Sequence, residues 1–415
     1  AGTVQPSGGM GSCTKCEAGK FMNASGAREC LDCTRGYYCI QGSSAPLPCE
    51  QGTYSSATDL TSAGECTHAT AGYFATTGST EQTRCAAGTV QPSDRMGSCD
   101  ECEAGKFQQD LGSTACSPCT PGHYCEQGAA APLPCEQGTY SSATNLKSAG
   151  ECTNATAGHY ATTGSTEDKP CTPGTVQPSG GMGSCDDCVA GKFMNASGVQ
   201  VCLDCTPGYY CLKGSSAPLP CPAGTRKDPS LTVMSSPDQC IDCPEGTFCP
   251  VGSDVAQPCS AGTYNNQAKQ PTCPPCDAGT YQNETGSTGC RPCTPGHYCR
   301  QGAAAPLPCR QGTYSDATGL MSEGECNATD PGYYATTGST TQTPCSPGTV
   351  APKERTAPCA SCEPGKFMNE TQGTACYLCT PGSYCESGAS APLPCKEGTY
   401  SSSPGLSSDG QCLAC

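Results

Sequence analysis

The stretch Cys16–Cys30, CEAGKFMNASGAREC, encloses 13 residues between its two cysteines. A glycine follows the opening cysteine by three positions and an aromatic residue by five. The same frame, Cys-x2-Gly-x-(aromatic or Val) with 13 residues enclosed, returns at Cys85–Cys99, Cys102–Cys116, Cys171–Cys185, Cys188–Cys202, Cys276–Cys290, Cys345–Cys359 and Cys362–Cys376. A second frame has four cysteines, as in CTRGYYCIQGSSAPLPCEQGTYSSATDLTSAGEC at Cys33–Cys66. It recurs at Cys119–Cys152, Cys205–Cys240, Cys243–Cys273, Cys293–Cys326 and Cys379–Cys412. The two frames account for 40 of the 42 cysteines and leave Cys13 and Cys415. GTVQPS begins at Gly2, Gly88 and Gly174, a step of 86 residues, so the chain is internally duplicated.

These frames divide the chain into a partial module (1–15), a two-module block (16–66) and an 18-residue linker (67–84). Blocks at 85–152, 171–273, 274–326 and 345–412 follow, with further linkers at 153–170 and 327–344 and the start of another module at 413–415. Cys13 reads as the closing cysteine of a loop opened before Ala1, and Cys415 as the opening of the next, so the expectation is a window on a longer array. At Cys205–Cys273 two four-cysteine modules abut without a linker. The Thr/Gly-rich linkers, such as THATAGYFATTGSTEQTR, read as flexible or O-glycosylated stretches.

One residue in ten is cysteine, glycine numbers 52 and proline 37, tryptophan is absent and phenylalanine numbers 6. With a mean hydropathy of −0.43, such a chain cannot fill one large apolar core. Small cross-linked modules are the alternative. Closing one loop of this size stabilises by about 3 kcal/mol through restriction of the unfolded chain. The expected fold class is therefore small disulfide-rich modules: short β-hairpins and coil in an elongated tandem-repeat rod, with little or no helix. Gly-x-aromatic after each opening cysteine suits a tight turn leading into a strand, with the aromatic over the next disulfide. APLPC suits an extended arm.

The constant 13-residue gap argues that each two-cysteine loop closes on itself. Four cysteines allow three pairings. The reading favours first-to-third and second-to-fourth, Cys33–Cys49 and Cys39–Cys66 with their equivalents, and leaves the others open. Disulfides on this scale require an oxidising compartment, hence an extracellular or cell-surface location. The net charge of −16 and the lack of a basic run exclude nucleic acid as a partner. No stretch reaches the roughly 20 apolar residues of a membrane span.

The patterns C-x2-G-x-Y…C-x2-C and PGYYC…APLPCxxGTYS resemble the ephrin-receptor-type cysteine-rich repeats and are similar to tumour-necrosis-factor-receptor modules. The resemblance covers essentially the whole chain. It implies closure of the Gly-x-Tyr loop by its flanking cysteines and an elongated extracellular rod. Long arrays of this kind also resemble protist surface antigens and mastigoneme-like fibre glycoproteins. The 18-residue stretches depart from compact receptor modules.

Six N-x-[ST] triplets stand at Asn23, Asn154, Asn195, Asn283, Asn327 and Asn369. Asn23, Asn195, Asn283 and Asn369 each fall seven residues after an opening cysteine, and Asn154 and Asn327 just after the last cysteine of a module. In a secreted chain these are N-glycan acceptors; the Ser/Thr/Pro content also suits O-glycans. Gln109 and His68 stand at equivalent positions without a triplet. Cys13-x2-Cys16-x13-Cys30-x2-Cys33 has zinc-ribbon spacing. A zinc reading leaves Cys39, Cys49 and Cys66 without a role, so no metal or other cofactor is expected. His123, His159 and His297 replace tyrosines found in other copies, which points to packing, and His68 has no catalytic partner pattern. Asp100–Glu101 and Asp186–Asp187 lack a calcium-loop pattern and read as solvated faces.

The expectation is a non-enzymatic extracellular structural glycoprotein forming a rod, stalk or filament. Its partners would be further copies of itself or other fibre and surface glycoproteins. A ligand-binding or adhesion ectodomain is the alternative, with Pro222–Cys240 the candidate because Arg226, Lys227 and Val233 break the pattern.

Overall fold

The computed structural model describes residues 1–9 and 11–415; Met10, inside the expected partial module, lies outside the described residues. Among the described residues the regular structure is strands of two or three residues, paired in 23 two-stranded sheets, plus five 3-10 turns of three residues. The chain forms two compact units, Ala1–Leu203 with Lys213–Ala217, and Asp204–Leu212 with Pro218–Cys415.

Both units are built from one hairpin. At Cys16 the backbone N–H of Lys20 donates to the Glu17 carbonyl (3.1 Å), and Gly19 has φ +89°. A positive φ at the third position of such a turn is the signature of type II, which takes glycine there and favours proline before it. The recurrent Thr-Pro-Gly before the aromatic, as at Thr206-Pro207-Gly208, meets both demands. Lys20–Phe21 then pairs antiparallel with Leu31–Asp32. With so few residues per strand, no hairpin could stand alone.

Stability comes from the neighbours. In the first unit, Gly19 N–H donates to the Cys39 carbonyl (2.8 Å) and Cys33 N–H to the Gly19 carbonyl (2.9 Å). Met22 N–H donates to Ser43 (3.1 Å) and Gly42 N–H to Cys16 (2.8 Å). In the second unit the same four bonds run from Gly279 to Cys299, Cys293 to Gly279, Gln282 to Ala303 and Gly302 to Cys276, at 2.8–3.1 Å. At about 1 kcal/mol net per bond, this ladder rivals one cystine.

The apolar material is packed onto the disulfides. Phe21 is buried with Cys33 and Cys39, with Tyr37 against them. Tyr38 packs on Cys49, Cys66 and Leu60, and in the second unit Tyr298 is buried with Cys309, Cys326 and Leu320.

Two expectations are corrected. Within the four-cysteine frame the structure joins first to second and third to fourth, Cys33–Cys39 and Cys49–Cys66, in place of Cys33–Cys49 and Cys39–Cys66. The equivalents are Cys119–Cys125 with Cys135–Cys152, Cys205–Cys211 with Cys221–Cys240, and Cys243–Cys249 with Cys259–Cys273. Cys293–Cys299 with Cys309–Cys326 and Cys379–Cys385 with Cys395–Cys412 complete the set. The reason is that the frame is two hairpins. Cys33 and Cys39 flank one turn and strand with Cα atoms 6.0 Å apart, inside the range a disulfide spans, whereas Cys49 opens the next hairpin.

The 18-residue linkers are also hairpins. Tyr73–Phe74 pairs with Thr83–Arg84, His159–Tyr160 with Lys169–Pro170, and Tyr333–Tyr334 with Thr343–Pro344. Cys33, Cys39 and Cys49 are spaced as Ala69, Ala75 and Cys85 are. Each linker is thus a short-loop hairpin whose cystine is replaced by Ala69/Ala75, Ala155/Ala161 or Thr329/Ala335. The abutting modules at Cys205–Cys273 are no exception, because Cys243–Cys249 occupies that same place with its cystine present.

Candidate functional site: the hairpin socket and the acceptor loops

Six residues beyond the opening residue, in most copies, a side chain enters the hairpin interior. The socket takes Met22, Cys39, Ser55, Ala75, Gln91, Asn265 or Gln282, all buried to 5% exposure or less. Where the side chain is an amide, its ends are paired: Asn265 Nδ2 donates to the Thr247 carbonyl of the preceding hairpin (2.7 Å), and the glutamines are met by their own loops. Gln91 Nε2 donates to the Ser98 carbonyl (2.8 Å) and its Oε1 accepts from Ser93 N–H (3.2 Å). Gln282 donates in the same way to Gly289 (2.7 Å). A buried amide is tolerated because both its ends are paired.

The cystine-free hairpins have a substitute clamp on the open side. Gln82 Oε1 accepts from Thr70 N–H (2.9 Å) and Gln342 Oε1 from Asp330 N–H (2.8 Å). In the third, Asp168 accepts from Thr156 N–H (3.0 Å) and from its hydroxyl (2.9 Å). The Thr156 backbone N–H, followed by its hydroxyl and the charge of His159, holds the Asp168 carboxyl below the usual carboxylate range.

All six triplet asparagines, Asn23, Asn154, Asn195, Asn283, Asn327 and Asn369, are exposed. Asn23, Asn195, Asn283 and Asn369 directly follow the socket residue, so the chain turns outward there. Asn154 and Asn327 lie on strands, Asn154 opposite Thr139 and Asn327 opposite Tyr314. Thr329, the hydroxyl residue of the Asn327 triplet, is 1% exposed, and its Oγ1 has no hydrogen-bond partner.

The loops opened by two-cysteine frames close as Cys16–Cys30, Cys85–Cys99, Cys102–Cys116, Cys171–Cys185, Cys188–Cys202, Cys276–Cys290, Cys345–Cys359 and Cys362–Cys376. Cys13 and Cys415 are free and exposed. The zinc-ribbon set is consumed by disulfides, Cys16 with Cys30 and Cys33 with Cys39. Among the described residues, no group of three or more His, Cys, Asp or Glu side chains is placed to hold a metal ion.

His123 Nδ1 lies 3.1 Å from the Pro121 carbonyl and His297 Nδ1 3.0 Å from that of Pro295, contacts within their own turns. His159 Nδ1 faces the Thr156 hydroxyl at 3.2 Å, and His68 is exposed. Asp100–Glu101 and Asp186–Asp187 are exposed strand residues; Glu101 accepts from Gln127 (3.0 Å) and Asp187 meets Lys213 (3.4 Å). In Pro222–Cys240, Arg226 and Lys227 belong to one of the longest strands, paired with Cys240–Asp242. Lys227 fills the socket position and reaches Asp254 at 3.7 Å, and Leu231 caps a turn onto Asp228.

The socket and the cystine-free hairpins escape a reading based on cysteines. The signal was present as the unbroken spacing of Gly72 and Tyr73 after Ala69. Among the described residues no helix is long and apolar enough to cross a membrane. No known protein family matches the chain, and no curated protein is similar to it in sequence.

Proposed function

We propose that the chain is a non-enzymatic extracellular structural glycoprotein, stapled by disulfides, that builds a rod, stalk or filament at a cell surface or in a secreted fibre. The observation that carries this reading is the repetition of one backbone ladder from hairpin to hairpin, with the side chains free to vary. Chemistry needs a unique constellation; a ladder made by main chain needs none. The exposed asparagines support a glycan coat, with further copies of the chain or other fibre glycoproteins as partners. Microscopy of the native material tests it, together with mass spectrometry of glycosidase-treated peptides. A regular filament with sugar at most of the six asparagines is the expected result. Isolated monomers holding a tight soluble partner would overturn it.

A ligand-binding or adhesion ectodomain is the second reading, and one observation favours it. Val201 and Leu203, 68% and 53% exposed, line an apolar concavity together with Asn195 and Val199.

A further inference from the structure

We infer that the three cystine-free hairpins, at residues 67–84, 153–170 and 327–344, give the chain a mechanical function: they are the points at which it opens and extends. The inference rests on the structural reading above for its purpose. Ala69 and Ala155 recur at a step of 86 residues, and Cys243 and Thr329 are separated by the same step. Ala69, Ala75, Ala155, Ala161, Thr329 and Ala335 are all 2% exposed or less. These hairpins are therefore folded as fully as the others and differ in what closes them. The ladder is intact: Gly72 N–H donates to the Gln91 carbonyl (2.8 Å) and Cys85 N–H to that of Gly72 (3.0 Å). Covalent closure alone has been exchanged for the solvent-exposed clamps of Gln82, Asp168 and Gln342.

The consequence follows from covalent topology. From Cys66 to Cys85 no cross-link shortens the path, so 18 residues are free to extend, a reach of roughly 60 Å. The longest comparable path within a cystine-closed short hairpin, Ile40–Pro48, is half of that. Elsewhere, as at Cys16–Cys30, nearly the whole hairpin is locked. Under tension the cystine-closed short hairpins can lengthen only through that shorter path, while the three unlocked ones open and re-form over their full 18 residues. The hairpin at 329 has an additional weakness, since the Thr329 hydroxyl is buried without a partner.

Hydrogen exchange of the whole oxidised, secreted chain tests this, with the Cys243–Cys249 hairpin as internal reference. Residues 67–84, 153–170 and 327–344 are expected to exchange about 50-fold faster than 241–258, the factor that closing a loop of this size supplies. In the A69C/A75C double variant, once mass analysis shows the new cystine, residues 67–84 slow to the reference rate while 153–170 stay fast. T329A, which needs no new bond but also removes the Asn327 triplet, slows 327–344 relative to N327Q, which removes the triplet and keeps the buried hydroxyl. Equal exchange in all four segments, or no change in 67–84 on adding the cystine, overturns the inference. Pulling on single chains from their ends should show reversible lengthening events, each bounded by the roughly 60 Å reach of an 18-residue path, that shrink to about half when all three hairpins carry cystines. Fast-exchanging hairpins in a chain that microscopy finds monomeric would refute the filament reading and leave these opening points standing.

Discussion

Gly36 lies directly beneath the carbonyl of Gly78, two hairpins further along the chain: a β-carbon on Gly36 would stand 2.3 Å from that oxygen. The same approach recurs between Gly19 and Asp59 (2.7 Å) and, in the second unit, between Gly296 and Gly338 (2.3 Å). Within each unit, these hairpins therefore bond to the next and also touch the one after it.

Gly36→Ala is expected to destabilise its hairpin and the two that follow by about 3 kcal/mol or more, from its φ of +77° and the backbone collision together. Gly26→Ala carries a similar φ of +78° but meets nothing within 4 Å, so it should cost only about 1–2 kcal/mol. Exchange of the Cys49 amide, which donates to the Gly36 carbonyl, reports the first change. Equal effects from the two substitutions would refute the contact.

Gln91→Ala removes a buried side chain and leaves the Ser98 carbonyl without its donor. The local cost is expected at about 1–3 kcal/mol, read as faster exchange across the Cys85–Cys99 loop. Ala351 fills the same socket elsewhere and is fully buried, so that loop should show no response to Ala351→Ser beyond its own hairpin.

Acid should loosen the clamp of the cystine-free hairpin at 153–170. The folded-state pKa of Asp168 lies below its ordinary value. Its contribution is thus complete above the ordinary carboxylate range and is lost as pH falls through the folded value. Exchange over 153–170, corrected for its intrinsic pH dependence, should rise on acidification, and Asp168→Asn should flatten that rise; the same rise in the variant would refute the role of the carboxylate.

Non-reducing peptide mapping should separate Cys33 from Cys49. A single cut anywhere between Ile40 and Pro48 should free a Cys33–Cys39 fragment, whereas a Cys33–Cys49 bridge would keep the two halves joined.

Much of the hairpin is legible in residue order alone. Gly19 and Phe21 announce a turn and strand after Cys16, and the aromatic lies on the following disulfide, as Phe21 does on Cys33–Cys39. The pairing inside the four-cysteine frame is less accessible. Cys33, Cys39 and Cys49 are equally cysteines in a string, and only the closure of one turn tells which pair shares an interior. The cystine-free hairpins are hidden for a related reason. Ala69 and Ala75 keep the packing of a cystine and lose its name, so a frame counted on sulfur reads a folded hairpin as a linker. The glycine spacing, Gly72 to Gly78 as Gly36 to Gly42, carries the repeat where cysteine does not.

The socket that accepts methionine, glutamine, serine, alanine or half a cystine has a genetic corollary. Because adjoining hairpins recognise each other through main chain, a block of 86 residues gained or lost by recombination between near-identical copies meets the same neighbour on either side. The number of copies can then drift between lineages without any new junction having to evolve, and length becomes a trait inherited separately from foldability.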